Sequence, residues 1–170
     1  MRNQASSLRC YIASTKSDHI DPFLEREGFG HGLVMFAAPE IGLMFRCRAE
    51  GEHIDLEFGA FFSLLKFLKT YLVKDAVSEL FVYSSNPEFV MSFRPNSRHL
   101  AKGSTREVLL REYLRDYRIQ VGFVEPQNNR CLISPIEYPS LPEGFKTVLK
   151  PNVRSDKRTE FKPFQRGIRL

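Results

Sequence analysis

Two strand-like runs in this sequence are joined by a link of only three residues, Ala-Pro-Glu at positions 38–40. The runs cover residues 32–38 and 41–48, and both are rich in apolar side chains. A parallel pair would need a crossover of about a dozen residues or more, so these strands must form an antiparallel hairpin. An alternating run at residues 8–15 precedes them. We therefore expect the chain to open with three antiparallel strands.

The next segment changes from strand periodicity to helix periodicity. Asp55 is placed to cap a helix whose apolar side chains recur at helical spacing, namely Phe58, Phe61, Phe62, Leu65, Leu68 and Leu72. Residues 80–83 follow as a short apolar run, which is typical of a buried parallel strand. The sequence thus predicts a βαβ unit after the hairpin.

Three further elements complete the predicted core. Residues 88–93 are expected to begin a short helix. Ser104 and Glu107 have the spacing of a capping box, which predicts a helix over residues 105–117. Residues 120–124 are predicted as the last core strand.

The composition is that of an ordinary globular protein, with 42% hydrophobic and 26% charged residues in a chain of 170. No apolar run approaches the roughly 18 residues of a membrane span. We therefore expect no membrane partner and a cytoplasmic location. The three cysteines lie far apart and lack the spacing of a metal site, which favours buried free thiols.

Prolines interrupt every run beyond Pro126 and leave little room for a long helix. Residues 146–170 contain eight Lys or Arg and two acidic residues, a charge of +6, whereas the whole chain carries +5. The remaining residues therefore sum to −1, and the basicity belongs to the C-terminal segment. We expect one domain over residues 1–133 and a Pro-rich basic extension over residues 134–170 that packs on the domain or trails it.

Three stretches resemble the ribonuclease H family in order and spacing. They are a helix opening at residues 57–68 (EFGAFFSLLKFL), a strand and turn at residues 81–90 (FVYSSNPEFV), and a last strand and loop at residues 118–132 (RIQVGFVEPQNNRCL). The resemblance covers roughly residues 8–133. It implies an α/β fold with a mixed five-stranded sheet, three antiparallel strands followed by parallel strands, and flanking helices.

In that family four carboxylates hold two divalent cations that promote phosphodiester hydrolysis. Carried over by resemblance, these positions fall at Ala13 or Ser14, at Glu57, at Ser85 or Asn86, and near Leu132. Only Glu57 among them is a carboxylate. A hard cation needs several anionic oxygen ligands. The resemblance therefore implies the fold without the hydrolytic activity, and no cofactor is expected.

A rearranged acidic site is the alternative. Glu52, Asp55 and Glu57 cluster at the start of the predicted helix, and Asp18 lies in the loop after the first strand. Together they could bind Mg²⁺ or Mn²⁺ as a divalent-metal nuclease, with Glu57 as the catalytic candidate. Acidic residues at a helix N-terminus also stabilise the helix dipole without binding any metal. Both interpretations stay open at this point.

Basic residues indicate where a partner could bind. Arg94, Arg98 and Lys102 form a basic stretch at the position where the resembled family carries substrate-facing basic residues. Lys157 and Arg158 add positive charge in the extension. Such side chains could contact a phosphate backbone, although a solvated charged surface has the same composition.

Asn86 is a further candidate binding residue. Asn86 ends a predicted parallel strand, where open α/β sheets bind ligands, but a strand-to-helix turn needs the same residue.

Three functional hypotheses follow from the sequence. The first is a non-catalytic ribonuclease H-like domain that binds nucleic acid or a protein. The others are the metal-dependent nuclease and a self-associating structural protein, such as a homodimer. We favour the first, because the acids that define hydrolysis are missing while the apolar pattern that defines the fold is present.

Overall fold

A computed structural model describes residues 6–16, 32–49 and 51–132 of the protein. Its strands are β1 (Ser6–Lys16), β2 (Gly32–Ala38), β3 (Leu43–Arg48), β4 (Val77–Ser84) and β5 (Arg118–Phe123). Its α-helices are α1 (His53–Tyr71), α2 (Pro87–Met91) and α3 (Thr105–Tyr113). The part of the chain beyond residue 132, where the extension was predicted, lies outside the described residues.

In the described part of the chain, five strands form one mixed sheet in the order β3-β2-β1-β4-β5. β1 and β2 are antiparallel, as are β2 and β3, whereas β4 is parallel to both β1 and β5. The predicted hairpin is confirmed. The helix and the strand predicted after it are present too, but β4 pairs with β1 and β5, and β1 and β2 lie between it and β3. β1 is the central strand, because Ile12 lies opposite Phe36 of β2 on one side and Ser84 of β4 on the other.

Helix α1 covers one face of the sheet. Alternate residues of a strand share a face, and Leu8, Cys10 and Ile12 of β1 are all fully buried on the face that meets α1. The helix contributes Phe61 and Leu65, which are also fully buried. Burying one such side chain stabilises the fold by about 1.5–3 kcal/mol, so this layer supplies most of the apolar stabilisation.

An aromatic cluster attaches the short helix α2 to α1. The ring of Phe89 in α2 lies 5.0 Å from that of Phe58 and 5.4 Å from that of Phe61, both in edge-to-face geometry. Helix α3 lies beside α1 as well, since the rings of Tyr113 and Phe62 are 6.4 Å apart. All three helices therefore contact one apolar core.

Several predicted boundaries differ from the structure. Asp55 was expected to cap α1, but Glu52 is the N-cap residue and no side chain bonds the helix start there. The third strand begins at Leu43 rather than at residue 41, because Pro39–Ile41 form a 3-10 turn that ends in Gly42 with a left-handed φ of 64°.

Helix α3 is shorter than predicted, and its capping box is only partly formed as predicted. The helix ends at Tyr113 rather than near residue 117. The Ser104 hydroxyl accepts from the Glu107 backbone N–H at 3.3 Å, as predicted, whereas the Glu107 carboxylate accepts from the backbone of Gly103 instead of Ser104.

The cysteines are free thiols, as predicted. Cys10 and Cys131 are buried, and Cys47 is half-buried. Within the described residues, none of the helices combines the length and the apolar character needed to span a bilayer.

One glycine of β2 and one glycine of α1 provide a matched test of the packing between this strand and this helix. A methyl group at Gly32 would lie 2.5 Å from Cδ1 of buried Leu56 and 3.1 Å from the Thr15 carbonyl oxygen. A methyl group at Gly59 would meet Val34 at an ordinary 3.7 Å. We predict that Gly32→Ala lowers the free energy of unfolding by about 1–3 kcal/mol. Gly59→Ala should raise it by about 0.5–1 kcal/mol, because alanine favours a helix interior.

Urea denaturation of both variants and the wild type measures these changes. Equal stability of the Gly32→Ala variant and the wild type would contradict the close approach of β2 to α1.

Candidate functional site

The carboxylate of Glu57 lies at the edge of the sheet where β1 and β4 end. Ser14 of β1 donates a hydrogen bond to its Oε2 at 2.6 Å, and Ser84 of β4 donates one to its Oε1. The parallel pairing of β1 and β4 brings their carboxyl ends to the same edge, and Ser14 follows Ile12 on the same face. Glu57 is only 1% exposed. The site is thus a buried carboxyl group held by two serine hydroxyls.

The surroundings of Glu57 favour its neutral form. Burial raises the pKa of this carboxyl above its ordinary value of 4.5. The bonds from Ser14 and Ser84 and the nearby His53 act in the opposite direction, but burial is the largest influence. The charged form of this carboxyl, which a hard cation needs as a ligand, is therefore less favoured here than in water.

Asn86 holds the turn from β4 into α2. Its Oδ1 accepts from the backbone N–H of Phe89 at 3.1 Å, and so caps α2. Its own backbone N–H donates to the Ser84 hydroxyl at 3.0 Å. Its side-chain Nδ2 lies 2.9 Å from Nδ1 of His53, one helical turn before Glu57. The turn thus uses the side-chain oxygen and the backbone N–H of Asn86, while its side-chain nitrogen contacts His53 of α1.

Asn129 closes the same edge of the sheet from the loop after β5. Its side-chain amide donates to the Ile12 carbonyl oxygen at 2.9 Å and to the Ser85 hydroxyl at 3.1 Å. Its Oδ1 accepts from the backbone N–H of Cys131 at 3.0 Å. Asn129 is fully buried, whereas Leu132, near which the last acid of the family was expected, is exposed. A neutral amide therefore occupies this side of the site.

The structure shows which of the alternative residues on β1 and β4 contact Glu57. Ser14, rather than Ala13, points to Glu57, because Ala13 packs on the opposite face of the sheet with Met35 and Cys131. Ser84 is the β4 residue that bonds Glu57, although Ser85 and Asn86 were the predicted positions. A register shift of one residue reverses the face of a strand residue, and sequence spacing did not resolve that shift.

Asp55 and Glu52, two of the other predicted metal ligands, do not converge with Glu57. The carboxylate of Asp55 binds the guanidinium of Arg106 on α3. Glu52 is an exposed residue at the helix start, and Asp18 lies outside the described residues. Across residues 6–16, 32–49 and 51–132, no group of three or more His, Cys, Asp or Glu is placed to bind a metal ion.

Two of the predicted basic residues line one groove. Arg94 and Lys102 border a cavity of about 500 Å³ between the end of α2 and the start of α3. Arg98 is directed to Glu88 instead, with 3.5 Å between its Nη2 and the carboxylate Oε1. Lys157 and Arg158 lie outside the described residues. The structure thus brings Arg94 and Lys102 together and separates Arg98 from them.

Sequence reasoning missed Ser84 and Asn129 as site residues. The His53 side chain is at hydrogen-bonding distance from Asn86, while Ser84 and Asn129 bond groups that are distant in sequence. A lone Ser or Asn has no local pattern that would have singled it out. These residues lie close together only because β1, β4 and α1 pack against one another in the folded chain.

No family model matches this chain, and a comparison with curated proteins found no match either. The functional inference therefore depends on the geometry: one buried carboxyl, two serine hydroxyls and two amides at the sheet edge, and a basic groove beyond α2.

The raised pKa of Glu57 predicts how stability depends on pH. A carboxyl whose folded pKa exceeds the unfolded value contributes fully below that unfolded value, and its contribution is lost as the pH rises through the folded pKa. We therefore predict that the Glu57→Gln variant becomes more stable relative to wild type as the pH rises from about 4.5. Chemical denaturation over a pH series measures this difference.

The matched control is Glu107→Gln. Arg111 holds the pKa of the Glu107 carboxyl below its usual range, so its contribution appears as the pH rises and the difference has the opposite sign. A Glu57→Gln difference that stays constant with pH would mean that burial does not alter the ionisation of Glu57.

Proposed function

We propose that this protein is a non-catalytic domain of the ribonuclease H-like fold that binds nucleic acid without cutting it. The order β3-β2-β1-β4-β5, with an antiparallel half and a parallel half, supports the fold part of the proposal. The position of Glu57 at the carboxyl ends of β1 and β4 supports it too, because the family's helix carboxylate is expected there.

The observation that carries the non-catalytic part is the set of partners around Glu57. Two-metal hydrolysis needs several carboxylates that face one another across a pair of cations. Here both oxygens of the single carboxyl accept hydrogen bonds from Ser14 and Ser84, and Asn129 closes the edge. The two serine hydroxyls bond both oxygens of this carboxyl without a metal, and neither they nor Asn129 add negative charge that would attract one.

The basic residues beyond α2 support the choice of nucleic acid as partner. The Arg94 and Lys102 side chains are exposed, and neither forms a hydrogen bond or ion pair within the described part of the chain. Arg98 is 81% exposed in its side chain, so its bond to Glu88 is readily exchanged with solvent. Uncommitted cations on one surface are the feature that binds a phosphate backbone.

The non-catalytic part of the proposal predicts that a calorimetric titration detects no metal binding. Mg²⁺ and Mn²⁺ added to the wild type should give no saturable heat, and an RNA·DNA hybrid should stay uncut. The double variant Ser14→Asp with Ser84→Asp should instead gain thermal stability with added Mg²⁺, because three carboxylates would then converge and a bound ion stabilises the folded state.

The opposite result has a clear meaning for the nuclease alternative. Metal-dependent cleavage by the wild type that disappears in Glu57→Gln would establish a rearranged acidic site and would contradict a non-catalytic role.

The binding part of the proposal is tested by the dependence of affinity on salt. Arg94→Ala and Lys102→Ala should each weaken binding of single-stranded or hybrid nucleic acid and reduce the slope of log affinity against log salt by about 1. Lys74→Ala removes an exposed lysine elsewhere on the surface and is the matched control. Fluorescence anisotropy over a salt series measures both quantities. Equal slopes for Lys102→Ala and Lys74→Ala would exclude the groove as the phosphate contact.

A further inference from the structure

The groove between α2 and α3 has an inner wall made of core side chains. Phe93, Leu100 and Leu110 line it, and each is partly buried against the main apolar core. The ring of Phe93 is held by neighbouring aromatic rings, 5.1 Å from Phe89 and 5.5 Å from Phe61. This wall is therefore preformed, and its apolar surface favours a flat or apolar ligand group.

The rim of the groove carries neutral polar groups. Asn96 and Ser97 line it from the turn after α2, where Asn96 adopts a left-handed φ of 65°. The Ser97 hydroxyl accepts from the His99 backbone N–H at 3.2 Å, which leaves its own hydrogen available to donate. Amide and hydroxyl groups of this kind bind the edges of nucleobases.

The charge at the mouth of the groove is positive. Arg94 and Lys102 stand on its two sides, from the loop after α2 and from the loop before α3. Glu107 is the acidic residue among the described groove residues, and its carboxylate already accepts from the Gly103 backbone and from the Arg111 guanidinium. The groove thus carries two cations and one carboxylate that already accepts hydrogen bonds and also attracts Lys102, so its net charge is positive.

We propose that this groove holds one nucleotide of a single strand, with its base against Phe93, Leu100 and Leu110 and its phosphates at Arg94 and Lys102. The proposal rests on the nucleic-acid binding proposed above and adds a specific requirement for an unpaired base. A volume of about 500 Å³ is within the usual range of small-molecule sites. A base inside a duplex is stacked and paired, so the groove selects single strands.

The test compares a short fluorescent single strand with the same strand made of abasic nucleotides, both titrated into the full-length protein. The phosphates are identical in the two probes, so a difference in affinity reports the base alone. We expect the abasic strand to bind about tenfold more weakly, the size of effect that removing one base contact has in other proteins.

Two charge-neutral variants locate the base. Ala101 is exposed and lines the groove, so Ala101→Leu fills the space beside the apolar wall. It should reduce affinity for the normal strand to that of the abasic strand and leave the abasic strand unaffected. Val108→Leu enlarges an exposed residue of α3 outside the groove and should change neither affinity.

The outcomes separate this inference from the function on which it rests. Equal affinity of the wild type for normal and abasic strands would overturn the base site and leave phosphate binding intact. Failure of both strands to bind would overturn both proposals. Free mononucleotide that competes with the strand, when inorganic phosphate at the same concentration does not, would support the groove as a nucleotide site. Competition by an acidic peptide as strong as that by the mononucleotide would overturn it.

Discussion

The packing of helix α1 on β1 and β2 is the contact on which the other parts of this structure depend. It buries the largest continuous apolar surface of the described chain, and it fixes the rotation of the helix about its own axis. Consecutive helix residues point in different directions, separated by about 100°. Once Phe58 and Phe61 are directed into the core, Glu57 must point to the end of β1 and Asp55 toward α3. Hydrophobic burial therefore determines where these polar side chains lie, although the polar side chains themselves contribute little buried apolar surface.

Neutral polar residues surround Glu57 at the sheet edge and determine the electrostatic character of this region. Several carboxylates at one point repel one another and need cations to be stable. Ser14, Ser84 and Asn129 supply hydrogen bonds to the same region without that repulsion. The hydrogen bonds from Ser14 and Ser84 offset part of the cost of burying Glu57, although burial still raises the pKa of its carboxyl. In the described chain this edge of the sheet is buried and held together by hydrogen bonds among neutral groups and Glu57.

Arg106 links this core to the surface groove. It is 8% exposed, its guanidinium lies 4.2 Å from the centre of the Phe58 ring, and it forms an ion pair with Asp55. A buried pair of this kind contributes less to stability than to position, because desolvation offsets much of the attraction. Its consequence is that the start of α3, and with it Lys102, is held at a set distance from α1. The loop that carries Lys102 is thereby attached to the core.

The amino-acid sequence was sufficient for the order of strands and helices and for the pairing of β2 with β3. Short links and apolar periodicity are local properties, and they limited residues 32–48 to a hairpin and residues 58–72 to a helix. The absence of carboxylates at most of the expected positions was likewise visible in the residue types alone.

The partners of the site residues were decided by the folded chain. Asp55 and Arg106 are 51 residues apart, and Asn129 and Ile12 are 117 apart. Serine and asparagine have no periodicity that announces such a contact, and a shift of one residue along β4 would have directed Ser85 rather than Ser84 to Glu57. The register of β4 against β1 selects between them, and that register results from burying the apolar residues of both strands against α1, a requirement of the whole core that no local segment contains.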